Sequence, residues 1–398
     1  MKVLLLGVGL QGKVALHDLV NNDSVTEIVA ADINIEALKQ LVETNQYSKV
    51  QCEFIDASNQ ENVNQLMELK PDLVIDLLPI PFVNRIAKTA IKYGINLINT
   101  LSVSPEIKKL AAEAERKGII VLPEFGLDPG IDLVLLGQAI KGMKEVEVIN
   151  SYGAGIPTLK AADNPINYKV TWSLEGVLST YFRSARIIRN GMIVQLEGNE
   201  LFNQKNIHEI TIKDIGKLEA FPNGDVLRYL PSIGIDEQSD EFKSIKEMGR
   251  YTMRWPGHCA FWKKLVDLHL LDDEPIDIDG KVIDRRKFLA KVIEPHIQLE
   301  KNEEDLAILL IELIGKKKGE KTRVVYQLID KRDLTTGFTA MSRTVGYTVS
   351  IGAQLIGNGK ITKKGILSPV NDIPYDIFKN ELNKRGIIIK STTEPVQK

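Results

Sequence analysis

The first 32 residues constrain this chain more than any other stretch. Lys2 to Leu6 read KVLLL, a short apolar run of β type, and Gly7, Gly9 and Gly12 follow at once in G-V-G-L-Q-G. A helical stretch opens directly behind them. A second apolar run, EIVAAD, then ends on Asp32, about 20 residues past the last glycine. Strand, tight turn, helix and second strand in this order make a parallel β-α-β unit. Gly7 permits the turn, Gly9 lets backbone approach a pyrophosphate, and Gly12 lets the helix lie close to the strand. The helix N-terminus, at Leu10, Gln11 and Gly12, offers unpaired N–H groups and a positive dipole end to phosphates. Asp32 is placed to accept hydrogen bonds from an adenine-ribose diol. Its charge repels a 2′-phosphate, and Ile33, Asn34 and Ile35 supply no arginine to bind one. The sequence therefore favours NAD over NADP.

Residues 1–124 alternate β and α regularly, with KVLLL, EIVAAD, QCEFID, DLVIDLL, NLINT and IIVLPE as strands. Such near-continuous apolar strands belong to a parallel sheet covered on both faces. The expected fold class is α/β, with a Rossmann (doubly wound parallel sheet) domain over 1–124. An α+β substrate-binding and dimerisation domain is expected over 125–345, and a segment, 346–398, that packs back on the first. Ligands of open sheets bind outside the carboxyl ends of the strands. That rule marks Asp56, Leu78, Pro79, Ser102 and the stretch 124–129 as cofactor-facing. Further on, SLEGVLSTYFRSARII reads as a helix, YKVTWS as an apolar strand, and KKKGEKTR as a hairpin turn.

Composition excludes several functions. With 51 basic and 53 acidic residues and no basic stripe, nucleic acid is not an expected partner. No apolar run reaches membrane-spanning length, and the N-terminal run is too short for a secretory signal. Only Cys52 and Cys259 are present, which excludes a disulfide framework and favours a reducing cytoplasm. The five histidines show no ligand spacing, so no metal is expected.

Four segments of the chain carry candidate chemistry. In PEFGLDPGID, Asp128 is flanked by Gly126, Pro129 and Gly130. It is either an acid that orients an amine or handles a proton, or a helix cap. In SYGAGIP, backbone N–H groups around Gly153 could meet a substrate carboxylate. Trp172 offers a ring face to a cation. In YTMRWPGH, Arg254 can pair bidentately with a carboxylate, and His258 can titrate near neutral pH.

Together with GVGLQG, NPINYKVTWSLEGVL, IIRNG and TVGYTVSIGAQLIGNGKITKKGIL, these segments resemble the saccharopine dehydrogenase-like family over nearly the whole length. That family includes saccharopine reductases, lysine 6-dehydrogenases and carboxynorspermidine dehydrogenases. The resemblance implies hydride transfer between a nicotinamide cofactor and an amine-bearing carbon, in a homodimer. By match of the GLDPG motif, Asp128 takes the place of the family's active-site aspartate. Gly153, Trp172 and Arg254 fall in substrate-side motifs. Two departures from the saccharopine reductases are Ser102, where a tyrosine is usual, and Gly224, where an arginine is usual. Arg228 is the nearest arginine in sequence to replace the latter. The expected reaction is at the C–N bond of a lysine-derived amino acid, saccharopine first. Lysine ε-deamination, polyamine chemistry and cofactor sensing without turnover are the alternatives.

Overall fold

An apolar strand buried on both faces needs strands on either side of it, and β1 (Lys2–Leu6) has them. The computed structural model describes residues 1–396. From β1 the chain runs through α1 (Leu10–Val20), β2 (Glu27–Asp32), α2 (Ile35–Thr44), β3 (Val50–Phe54), α3 (Gln60–Glu68), β4 (Leu73–Asp76), α4 (Val83–Tyr93), β5 (Asn96–Asn99), α5 (Pro105–Lys108), α6 (Ala111–Arg116), β6 (Ile120–Leu122) and α7 (Ile131–Ile140). There follow β7 (Met143–Pro157), α8 (Leu174–Thr180), β8 (Ala185–Arg189), β9 (Met192–Leu196), β10 (His208–Ile212), β11 (Gly216–Pro222), α9 (Asp240–Ser244), β12 (Glu247–Arg254) and α10 (His258–Asp267). The rest comprises β13 (Ile276–Ile278), β14 (Lys281–Ile283), α11 (Arg285–Ile293), β15 (Asp305–Lys317), β16 (Glu320–Lys331), α12 (Ala340–Gly357), β17 (Gly365–Ile366), α13 (Pro369–Asp372), α14 (Tyr375–Lys384) and β18 (Ile389–Pro395).

Two units result, 1–138 with 342–388 and 139–341 with 389–398. The first holds a seven-stranded sheet in the order β17-β6-β5-β4-β1-β2-β3, all of its pairs parallel. Strand order reverses on the two sides of β1, so its carboxyl end is the topological switch point where such sheets bind ligands. The second unit holds a nine-stranded mixed sheet whose main path is β10-β11-β12-β7-β15-β16-β18. β15 and β16 form the long hairpin expected at KKKGEKTR, with Lys318 and Gly319 at positive φ in its turn.

Three local expectations fail for packing reasons. SARII is not helical: α8 stops at Thr180, and Ala185–Arg189 pairs with β9, burying Ala185, Ile187 and Ile188. YKVTWS is irregular, its buried residues packing without a ladder. QCEFID is not a strand covered on both faces: β3 is an edge strand, and its Cys52 is only half-buried.

In the first unit, α12 and α14 bind the glycine-loop helix through one acid. Asp18 of α1 accepts Arg385 Nε and Nη2, both at 2.8 Å, Ser350 Oγ at 2.6 Å and Gln354 Nε2 at 2.8 Å. Removing the cation would leave Asp18 charged in a half-closed site. Arg385→Ala is expected to lower unfolding free energy by about 3 kcal/mol, read from urea denaturation.

Candidate functional site

At the carboxyl end of β1 the backbone turns through Gly7 at φ +85°, and a Cβ there would meet the Leu77 carbonyl at 2.9 Å. A Cβ on Gly12 would lie 2.1 Å from the Gly7 carbonyl oxygen, whereas Gly9 faces open space. The loop is thus closed beneath and open above. Helix α1 has Gly9 as its N-cap, no side-chain cap and no acid in its first turn. The positive end at Leu10, Gln11 and Gly12 is uncompensated, which suits a pyrophosphate. On either side of β1 in the sheet, Ile33 (69 % exposed) follows β2 and Ile80 (67 % exposed) follows β4. These bare apolar side chains can cover the flat faces of a dinucleotide. The residues fit such a cofactor.

The other marked positions also stand at this edge. Asp56 Oδ1 accepts the Ser58 N–H at 2.9 Å and hydroxyl at 2.6 Å, and those bonds hold its carboxyl below the usual range. Leu78 donates its N–H to Asp76 Oδ1 at 3.1 Å, Pro79 follows it, and Ser102 lies exposed after β5. Sequence reasoning missed Asp76, which reads as the last residue of an apolar strand. It is buried, its Oδ2 has no partner, and burial pushes its carboxyl up to about 7.

The Asp128 turn is built from backbone. Gly126 donates to the Pro129 carbonyl at 2.9 Å, and Ile131 donates back to that of Gly126 at 3.0 Å. Gly130 sits at φ +146°, where a Cβ would fall 2.1 Å from the Gly126 oxygen. The Gly130 N–H reaches Asp132 Oδ1 at 2.7 Å. Burial, opposed by bonds from Gly130 and Leu133, pushes Asp132 up to about 8. Asp128 is half-buried, while Asp132, also missed from sequence, is buried and braces the turn through the Gly130 N–H.

The second unit gathers Tyr168, Tyr181, Arg254 and His258 around a buried cation. Arg254 is 4 % exposed. Its Nε donates to the Tyr181 hydroxyl at 3.0 Å and its Nη1 to the Met253 carbonyl at 2.9 Å. Its guanidinium lies 5.1 Å from the Tyr168 ring centroid and 5.7 Å from that of Tyr181. Among the described residues it has no ion pair. Glu219, its cross-strand neighbour on β11, is engaged elsewhere: its carboxylate accepts the Gly257 and Cys259 N–H groups at the start of α10.

Two expected roles are corrected here. His258 is fully buried; burial first, and then Arg254, pull its ring down to about 3, so it does not titrate near neutral pH. Its Nδ1 meets the Ile166 carbonyl at 2.7 Å and therefore carries the proton. Nε2 then accepts from the Tyr181 hydroxyl at 2.7 Å, and His258 orients Tyr181. Gly153 lies within β7, paired with β12 through Thr252 and with β15 through Leu309. A central strand has no N–H left for a substrate carboxylate. Trp172 is half-buried, with one ring edge packed so closely on Gly176 that a Cβ there would come within 2.4 Å. Arg228 lies over the Tyr229 ring; the guanidinium beside Gly224 is that of Arg183, its Nη2 3.5 Å from where a Cβ would stand.

A glycine-loop parallel sheet joined to a large mixed sheet defines a two-unit dinucleotide-binding α/β protein. Residues 3–122 match the family model for the saccharopine dehydrogenase NADP binding domain, and 126–387 match that for the saccharopine dehydrogenase C-terminal domain. The chain belongs to the saccharopine dehydrogenase family. It is 26 % identical over 460 residues to the Saccharomyces cerevisiae saccharopine dehydrogenase [NADP(+), L-glutamate-forming], covering 98 % of this chain and 99 % of that one. It is also 26 % identical to the Bos taurus mitochondrial alpha-aminoadipic semialdehyde synthase, with 97 % of this chain matched to 47 % of that protein. The chain thus spans about half the length of its mammalian relatives. The solved apo yeast saccharopine dehydrogenase (L-Glu forming) superposes with a TM-score of 0.84 at 24 % identity, over 99 % of both chains.

The expectation of NAD is overturned. The matched N-terminal model is an NADP binding domain, and the names of the fungal relatives specify NADP(+). The structure shows what Asp32 does instead. Its Oδ2 accepts the Val8 N–H at 2.7 Å and its Oδ1 the Asn34 N–H at 2.9 Å. Both oxygens serve the backbone of the glycine turn and of the approach to α2, so the acid does not report on the ribose. Among the described residues no group of three or more His, Cys, Asp and Glu could hold a metal, and no helix is long and apolar enough to cross a membrane.

The His258 assignment has a direct test. Its folded pKa is depressed, so its contribution to stability is present above about pH 6.5 and is lost as pH falls towards about 3. Ring nitrogen chemical shifts are expected to remain those of the neutral Nδ1–H tautomer from pH 5 to 8. A titration midpoint within that window would refute the assignment.

Proposed function

We propose that this chain is an NADP-dependent oxidoreductase acting on the C–N bond of saccharopine, forming glutamate and a lysine-derived semialdehyde, or running the reverse. One observation carries the reading beyond family membership: the same chain pairs an intact dinucleotide loop with a buried guanidinium, Arg254, that lacks a carboxylate of its own. A buried charge without a counter-ion is costly, and an amino-acid substrate brings the missing carboxylate.

Gly7, Gly9, Gly12 and the first turn of α1 would hold the pyrophosphate, with Ile33 and Ile80 against its flat groups. When bound, NADP supplies the hydride-accepting chemistry. The protein's own task is orientation and proton management. Arg254 anchors a substrate carboxylate, while Tyr181, held by His258, fixes the guanidinium plane. Trp172 offers its free ring face to the substrate's cationic amine. Asp128, rigid in its turn, orients the reacting amine and holds its proton at the carboxylate. We also propose that the protein works as a homodimer in the cytoplasm; its two free thiols suit a reducing compartment. Light scattering should give twice the 44.5 kDa chain mass.

NADPH absorbance is expected to appear with NADP⁺ and saccharopine, and to stay absent with lysine. Asp128→Ala should lower kcat by roughly 100-fold or more while NADPH fluorescence titration shows unchanged binding. Wild-type turnover in that variant would remove Asp128 from the mechanism.

A further inference from the structure

Asp76 is buried at the cofactor edge of the first unit and has no task in the chemistry assigned above. It ends β4, in register with Leu6 of β1 on one side and Asn99 of β5 on the other. Residues two apart on a strand share a face. Asp76 therefore lies on the side of Val74, which packs with Leu4, Leu6 and Leu97 against Ile86 and Ala87 of α4. Its Oδ1 accepts the Leu78 N–H at 3.1 Å, whereas Oδ2, shielded from solvent, has no hydrogen-bond partner.

The neighbouring strand end offers a comparison. Asn99 ends β5, is also buried, and accepts the Leu101 N–H through Oδ1 at the same 3.1 Å. An amide thus makes this turn without a charge. Asp76 uses one oxygen in the same way, so its second oxygen is surplus to the backbone bond. In an apolar setting that oxygen is tolerated with a proton and costly without one. No neighbouring charge alters the balance: burial raises the carboxyl, and only the Leu78 N–H opposes it. Charged groups on the adjoining elements are engaged elsewhere. Arg85 of α4 donates to the Ala57 carbonyl, and Lys88 pairs with Glu106 at 2.6 Å. Asp56 accepts from Ser58, and Asp32 accepts from Val8 and Asn34.

The backbone that follows Asp76 supports the glycine loop. Leu77 donates its N–H to the Leu6 carbonyl at 2.9 Å, and its own carbonyl oxygen stands 2.9 Å from where a Cβ of Gly7 would lie. The Gly7 turn therefore rests directly on Leu77. Leu78, Pro79 and the exposed Ile80 come next, at the edge where the cofactor would lie. A carboxylate formed at Asp76 would draw in water or swing towards it, and either movement shifts the Leu77–Leu78 backbone under Gly7.

We infer that Asp76 is a positioning residue of the cofactor site that works in its neutral form, holding Leu77 under Gly7, so that loss of its proton weakens NADP(H) binding. The inference rests on the dinucleotide reading of the glycine loop and not on saccharopine as substrate. Its sign is fixed. The neutral acid prevails below about pH 7, so affinity is full there and falls as pH rises through that value. Linkage is reciprocal, so bound cofactor makes the proton harder to remove.

NADPH fluorescence titrations between about pH 6.5 and about pH 8.5 compare wild type with Asp76→Asn, the side chain that Asn99 already uses. The wild-type Kd should rise roughly tenfold or more across this range. Asp76→Asn should hold the low-pH Kd within about twofold throughout. A flat wild-type Kd, or a variant that keeps the wild-type pH dependence, would overturn the role of Asp76 while leaving the cofactor reading intact. Should the variant not fold, the carboxyl carbon-13 shift of Asp76 in wild type decides. A midpoint near pH 7 that moves up with saturating NADPH supports the inference, and one that NADPH leaves in place refutes it. If NADPH binds at no pH, the dinucleotide reading fails and the role of Asp76 fails with it.

Discussion

Helix α1 of the first unit is held by contacts that leave no room for side chains. On one side Gly12 lies so close to the Gly7 carbonyl that a Cβ would sit 2.1 Å from its oxygen; on the other, Gly346 of α12 approaches the Gln11 carbonyl to 2.6 Å on the same measure. Backbone packed at this distance fixes the helix axis and points its uncapped N-terminus over the sheet edge. Asp18 completes the restraint by accepting from Arg385, Ser350 and Gln354. The cofactor loop is thus shaped at the start of the chain and clamped by residues more than 300 positions later. Interiors pack at crystal-like density, so a loop supported on both sides is held in one shape.

Charge in the second unit follows a different rule. Burial alone would drive protons off His258 and keep them on Tyr181, and both shifts have that direction. Arg254 stays charged in the same surroundings because its donors face a hydroxyl, a carbonyl and two aromatic rings. The carboxylate that faces Arg254 across the strands is committed elsewhere, Glu219 accepting the N–H groups at the start of α10. Arg254 is thereby left as a buried positive charge with no ion pair among the described residues.

Much of this was legible in the sequence, to differing depths. The glycine spacing and the apolar strands gave the parallel sheet, because both are local patterns with one structural solution. The SARII stretch misleads because it follows a helical pattern without a break, and only pairing with β9 turns it into a strand. Gly153 and His258 look accessible in a linear string; one is in a ladder on both sides and the other has no solvent contact. Asp32 fits a known position, yet its bonds to Val8 and Asn34 are invisible until the loop is folded.

What the sequence determined by itself was periodicity and turn chemistry: a Rossmann half with its glycines, a second sheet, and a rigid aspartate turn at 126–130. These depend on neighbours along the chain. That Arg254 is buried without an acidic partner, that His258 stays neutral and that Asp32 merely serves the backbone were decided only by tertiary structure. Those properties depend on burial and on groups far away in sequence, as when Arg183 settles against Gly224. Desolvation and hydrogen-bond competition act through space, and no local pattern encodes their outcome.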